Sequence, residues 1–131
     1  MLVQLGPALE AADAAAVVET LADDVTLRVA VHDEPFEGRA AAAQVLGAVL
    51  DGPLHDIEVT ETIDGDDAAV LMFGARVSGY SGRGDGLLVV RTDPSEKISD
   101  LTVFLRPLAA LQALAGEMGR RLGGPRPGGG S

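Results

Sequence analysis

The sequence predicts an α+β fold in which a cone-shaped, curved sheet of mixed or antiparallel strands wraps around N-terminal helices. Two patterns predict this fold. The apolar spacing changes from helical to two-fold near Val25, and four strands joined by hairpin-length turns follow the second helix. Because the helices are few, the sheet must curl around them to enclose a core. The length of 131 residues is that of one domain.

The first helix is expected to begin at Pro7, because proline is favoured at the first helical position, and its apolar spacing extends to Ala22. Asp13 within this stretch is the expected N-cap of a second short helix. A strand should follow from Val25, because alternate residues are apolar up to Val31.

The next elements are a short return strand at Phe36 and a helix over residues 39–50, which ends at Asp51-Gly52-Pro53. Four strands are then expected near residues 54–63, 68–78, 87–92 and 98–106, with a last helix from Pro107. The strand at 68–78 is apolar on both faces, which predicts that both faces are covered. We expect one domain over residues 1–122, and a disordered Gly/Pro-rich tail over residues 123–131.

Composition excludes several classes of function. Acidic residues outnumber basic ones by 20 to 10, and the net charge is −10, so nucleic acids and anionic membranes are unfavourable partners. The sequence contains no cysteine, which removes disulfides and zinc–thiolate sites. Two isolated histidines make a poor metal site, and we expect no metal and no cofactor. No basic segment precedes an apolar run at the N-terminus, so a cytoplasmic location is expected.

Four segments carry a resemblance to a known family: residues 8–13 (ALEAAD), 21–27 (LADDVTL), 36–39 (FEGR) and 98–104 (ISDLTVF). In order and spacing they resemble the nuclear transport factor 2-like superfamily, in its bacterial branch of SnoaL-like polyketide cyclases and ketosteroid isomerase relatives. The resemblance spans about residues 8–106. It implies a conical, cystatin-like roll, a pocket between sheet and helices, and homodimers formed through the outer face of the sheet.

The resemblance also implies a candidate base. In the isomerases an acidic residue followed by proline lies just past the first long strand, and Asp33, with Pro35 two residues later, matches that place. His32 is the candidate assisting group. SnoaL-type cyclases can act with a single acid–base group, because their substrates enolise readily. In the alternative interpretation, His32 and Asp33 only leave the strand into solvent and Asp33 caps the turn.

The isomerase oxyanion donors have no counterpart in the sequence. Those enzymes hold the enolate oxygen with a tyrosine and a protonated aspartate, and the matching positions here are Leu5 and Leu88. Enolisation needs both a base and donors for the developing negative charge. The resemblance therefore implies the isomerase scaffold without its complete catalytic set.

Four further residues are candidate ligand contacts. Arg28, Arg76 and Arg106 lie on predicted strands, where an arginine must be paired or face a wet cavity. One of them could bind a ligand carboxylate, and the alternative is a structural salt bridge. Tyr80, the only tyrosine, lies in a glycine-rich loop, where it flanks the pocket or faces solvent.

Two functions of different class follow. The first is an acid–base isomerase or cyclase acting on an apolar, carbonyl-bearing small molecule. The second is a non-catalytic dimeric domain that binds an apolar ligand or serves as a scaffold. A homodimer is the expected assembly in both cases.

Overall fold

The computed structural model describes residues 4–123. Over these residues the chain forms four helices and six strands, followed by a π-helical turn over Gly119–Gly123. In chain order these elements are α1 (Leu5–Glu10), α2 (Ala14–Glu19), β1 (Leu21–Arg28), β2 (Phe36–Glu37), α3 (Arg39–Leu50), β3 (Leu54–Asp64), β4 (Ala69–Val77), β5 (Arg83–Thr92), β6 (Ile98–Arg106) and α4 (Leu108–Met118). Of the predicted tail, residues 124–131 lie outside the described residues, and the domain boundary at 122–123 stays a prediction.

The six strands form one mixed sheet in the order β2-β1-β6-β5-β4-β3. All neighbours are antiparallel except β1 and β6, which pair parallel, as in the register of Leu27 with Leu101. This pairing brings the N-terminal strand beside the last one, so α1, α2 and α3 lie over the same sheet as α4. The predicted α+β class, with helices covering one face of a curved sheet, is confirmed.

The break in the first helix occurs where the sequence places it. The side chain of Asp13 accepts a hydrogen bond from the backbone N–H of Ala16 at 3.1 Å, which caps α2. The expected extension of this helix to Ala22 is wrong. The backbone of Thr20 instead accepts a hydrogen bond from Ile98 N–H at 2.8 Å, and Leu21 pairs with Ile98, so the chain enters the sheet there.

The end of β1 also differs from the prediction. The strand ends at Arg28, whereas the apolar alternation extends to Val31. Residues 29–31 leave the sheet as a loop whose side chains pack against the core and line a cavity. The alternation of apolar residues therefore continues beyond the last paired residue of β1, because these side chains pack against the core and line the cavity.

The core lies between the helices and the inner face of the sheet, and it is built mainly from leucine, valine and alanine. Along β4, Leu71, Phe73 and Ala75 point inward and are buried. On the outer face Val70 is half-buried and Met72 is 36% exposed. The expectation that both faces of this strand are covered is therefore wrong for the described part of a single chain.

Candidate functional site

A cavity of about 380 Å³ lies between the helices and the inner face of the sheet. Apolar side chains make almost all of its wall, including three alternate residues of β6 and four residues of α3. These are Leu101, Val103, Leu105, Val45, Leu46, Val49 and Leu50. Pockets that bind small molecules have volumes of ~300–1,000 Å³ and mostly apolar walls with a few polar groups. The cavity has the size and chemistry of such a pocket.

His32 is the one titratable side chain among the residues that line this cavity in the described chain. It follows the loop that leaves β1, and its ring lies against Phe36 with a centroid distance of 5.4 Å and an interplanar angle of 40°. Phe36 also lines the cavity. The short strand β2, which pairs with β1 in the register Leu27 to Phe36, therefore positions the imidazole at the cavity wall.

The backbone of Glu34 holds the Nδ1 atom of His32. Nδ1 lies 3.2 Å from the N–H of Glu34 and 3.1 Å from its carbonyl oxygen. Nδ1 can accept from the N–H in one neutral tautomer and donate to the carbonyl in the other. In both cases Nε2 is the ring nitrogen left for a ligand, as a donor in the first tautomer and as an acceptor in the second. This arrangement suits a group that gives and takes a proton.

Asp33 is exposed and does not line the cavity, although it adjoins His32 in the chain. His32 is exposed as well, but its ring lies against Phe36 and lines the cavity, whereas Asp33 does not line it. A carboxylate inside an apolar cavity without a cation would be expensive to bury. The roles of Asp33 as a base and of His32 as its assisting group both stay predictions, and of the two residues only His32 lines the cavity.

Leu5 and Leu88, which the resemblance matches to the isomerase oxyanion donors, both line the cavity. Leu5 comes from α1 and Leu88 from the inner face of β5, and both are buried. The scaffold therefore directs both side chains inward, but neither can donate a hydrogen bond.

The three candidate arginines do not line the cavity, and each is paired with an aspartate. Arg28 Nη1 lies 2.5 Å from Asp100 Oδ2, Arg76 Nε lies 3.6 Å from Asp56 Oδ2, and Arg106 Nη1 lies 3.1 Å from Asp85 Oδ2. The hydrogen bond and the charge of Asp100 raise the pKa of the Arg28 guanidinium. These contacts match the salt-bridge interpretation, and ligand binding by these arginines stays a prediction.

Tyr80 is half-buried and packs against the core beside Gly82, outside the cavity lining. Sequence reasoning missed the two phenylalanines of the cavity wall, Phe36 and Phe73. The protein has only three phenylalanines, so each aromatic ring on an inward strand position was a usable signal. Over residues 4–123 no three acidic or histidine side chains are grouped as metal ligands would be. None of the helices in that range is long and apolar enough to span a membrane.

The curled six-stranded sheet over short helices places the protein in the class of cystatin-like α+β rolls. The chain belongs to the SnoaL-like domain family, whose model matches residues 4–104. No functionally curated protein matches the sequence.

Similar solved structures include a steroid delta-isomerase from Pseudomonas aeruginosa. It is 29% identical, with a TM-score of 0.82 over 93% of this chain and 88% of that one. An uncharacterised protein with a cystatin-like fold from Silicibacter pomeroyi is 20% identical, with a TM-score of 0.86 over 95% and 86% of the two chains. A putative SnoaL-like polyketide cyclase from Jannaschia sp. CCS1 is 15% identical, with a TM-score of 0.70 over 87% and 88%. The last two show the shared fold.

Proposed function

We propose that this protein binds an apolar, ring-bearing small molecule with a carbonyl group, and that His32 exchanges a proton with that molecule as in an isomerase or cyclase. The observation that carries the proposal is the position of His32 in the wall of an otherwise apolar cavity of about 380 Å³. The similarity to a steroid delta-isomerase at 29% identity supports a ketone as the ligand class.

The wall of the cavity limits the substrates that can react. Nε2 of His32 takes a proton from the carbon next to the carbonyl, the C–H electron pair forms the enolate, and the imidazolium returns the proton to the same or another carbon. Leu5 and Leu88 line the cavity where oxyanion donors would stabilise that enolate. The substrate must therefore stabilise its own enolate, so a 1,3-dicarbonyl compound is the favoured class.

The test measures binding and proton exchange separately. Affinities of a polycyclic 1,3-diketone, a monoketone and the matching hydrocarbon are determined by calorimetry. Exchange of the α-protons in D₂O is followed by NMR. We expect faster exchange of the diketone with the wild-type protein and loss of that acceleration in His32→Ala. Ketone affinity should fall about tenfold, the value of one hydrogen bond, while hydrocarbon affinity should stay within about threefold.

Two control variants sharpen the result. His55→Ala removes the other histidine, whose Nδ1 donates to the carbonyl oxygen of Gly52 at 2.8 Å and which does not line the cavity. Asp33→Asn removes the predicted base. Both variants should retain exchange. Loss of exchange in Asp33→Asn with retention in His32→Ala would assign the base to Asp33, and a wild-type protein that binds none of the three compounds would contradict the proposal.

Non-catalytic binding is the second candidate function. Leu5 and Leu88 in the cavity wall favour it, because an entirely apolar oxyanion position suits retention of a ligand better than turnover. Equal affinities for ketone and hydrocarbon, without acceleration of exchange, would support this function over acid–base chemistry.

The proposal includes a homodimer formed through the outer face of the sheet. Neighbouring strands align Met72, Leu87 and Phe104 there, and Phe104 is 52% exposed. Exposed apolar patches with charged surroundings are typical of protein interfaces. Most dimers are two-fold symmetric, so this patch would contact the same patch on the second copy of the chain.

A further inference from the structure

The cavity wall includes one aromatic side chain from the long strands of the sheet. Phe73 lies on the inner face of β4, is 5% exposed and lines the cavity. In the register of β4 with β5, its partner is Gly86. Gly86 has no side chain, so the phenyl ring can lie directly over the β5 backbone.

The space above Gly86 is filled by that ring. A Cβ atom added to Gly86 would overlap Cζ of Phe73, and it would lie 2.8 Å from Cε2 of Phe73 and 2.6 Å from the carbonyl oxygen of Phe104. Gly86 lies within β5 and its φ is outside the left-handed region. Close approach, and not backbone conformation, is therefore what requires glycine at this position.

The next two inward positions of β5 carry large side chains. Leu88 lines the cavity and Val90 is fully buried. The preceding inward position, Gly84, is also glycine, so Gly86 lies where the inward apolar side chains of β5 end, and the ring of Phe73 occupies the space above it. If residue 86 had a side chain, the ring would have to turn away from β5, and the β6 backbone at the carbonyl of Phe104 would have to shift as well. The open volume on the inner face is the cavity, so the ring would enter it.

We propose that the Phe73–Gly86 pair sets the size of ligand that the cavity admits. With glycine at 86 the ring lies against the sheet and leaves depth for a multi-ring ligand. With a larger residue at 86 the ring would shorten the cavity and select smaller ligands. The inference rests on the proposed function, because it concerns the same cavity and the same apolar ketones.

The test uses two ketone probes of different size, a monocyclic ketone and a four-ring steroid ketone, with affinities measured by calorimetry on the full-length protein. Gly86→Ala should reduce affinity for the four-ring ketone at least tenfold, and affinity for the monocyclic ketone less than threefold. Phe73→Leu removes the outer ring atoms and should shift the ratio of affinities toward the four-ring ketone by at least threefold.

Gly74→Ala is the matched control. Gly74 is the neighbour of Phe73 in β4, and its added Cβ would lie 3.4 Å from Arg83 Nη2, the end of a flexible side chain. This variant should keep the wild-type affinity ratio. If Gly86→Ala does not fold, as judged by circular dichroism, the affinity ratio of Phe73→Leu alone tests the proposal.

The outcomes separate the two proposals. A wild-type protein that binds neither ketone contradicts the proposed function. Binding of both ketones, with an unchanged affinity ratio in folded Phe73→Leu and Gly86→Ala, overturns the role of this pair and leaves the proposed function in place.

Discussion

The imidazole of His32 lies against the phenyl ring of Phe36, with 5.4 Å between ring centroids and an angle of 40° between the planes. One ring comes from the loop after β1 and the other from β2, and both line the cavity. Phe36 is therefore a positioning residue for the one titratable side chain in the cavity wall of the described chain.

The first prediction concerns this ring contact. Phe36→Leu keeps an apolar wall but removes the aromatic partner, whose interaction contributes about 0.5–1.5 kcal/mol beyond burial. The α-proton exchange of a bound 1,3-diketone should slow several-fold, while affinity for the matching hydrocarbon changes little. Phe104→Leu, on the outer face, is the control and should exchange at the wild-type rate. Equal exchange rates in both variants would show that Phe36 does not position His32.

The second prediction concerns the cap of α2. Asp13→Ala removes the side-chain acceptor for Ala16 N–H and should reduce the free energy of unfolding by about 1 kcal/mol. Urea denaturation followed by circular dichroism measures it. Asp24→Ala, an exposed aspartate on β1, is the control for the loss of one negative charge. An equal effect in both variants would mean that net charge, and not the cap, is responsible.

The third prediction is a coupling between Phe73 and Gly86. Gly86→Ala alone should destabilise the protein by about 1–3 kcal/mol through overpacking. Leucine at 73 lacks the Cε2 and Cζ atoms that the new methyl group meets, so the double variant should lose less than the sum of the two single variants. We expect a coupling energy of at least about 0.5 kcal/mol from urea unfolding. Gly74→Ala combined with Phe73→Leu should be additive, and additivity in both pairs would show that the ring does not occupy the space above Gly86.

The fourth prediction concerns the turn between β5 and β6. The carboxylate of Asp93 accepts hydrogen bonds from Ser95 Oγ at 2.7 Å and Lys97 N at 3.0 Å. These contacts, with the Ser95 hydroxyl first, hold the pKa of Asp93 below its usual 3.8. A lowered pKa means that the contribution to stability is complete above pH 3.8 and is lost as the pH falls through the folded-state pKa.

Asp93→Asn should therefore unfold at lower urea concentration than the wild-type protein at pH 6. The difference should shrink once the pH falls below the folded-state pKa. Asp66→Asn, in the exposed turn between β3 and β4, is the control. A difference for Asp93→Asn that stays constant down to the acid limit would contradict the assignment of these hydrogen bonds to the ionised form.

The fifth prediction concerns assembly. Phe104→Glu places a charge in the outer apolar row of Met72, Leu87 and Phe104, and it should convert the proposed dimer to a monomer in size-exclusion chromatography with light scattering. Leu108→Glu changes an equally apolar side chain that is 68% exposed at the start of α4, and this variant should remain a dimer. A wild-type monomer at micromolar concentration would contradict the homodimer.

The element order was predictable because the signals are local. Apolar spacing, Asp13 as a cap and the turns between the last four strands depend on neighbouring residues. The ends of β1 were not predictable in this way. Leu21 joins the sheet only because Ile98 lies beside it. The two residues are far apart in the sequence, so the pattern of residues around Leu21 does not predict this contact.

The candidate site, like the fold, has some features that the sequence predicted and others that only the tertiary structure decided. The sequence by itself determined that His32 follows an apolar alternation, and its resemblance to the isomerases predicted leucines, Leu5 and Leu88, in place of hydrogen-bond donors. The tertiary structure alone decided that His32 lines the cavity while Asp33 does not, although both are exposed, since the pairing of β2 with β1 brings Phe36 against the imidazole. It also decided that the ring of Phe73 occupies the space over Gly86, because strand register brings together side chains that no local pattern relates.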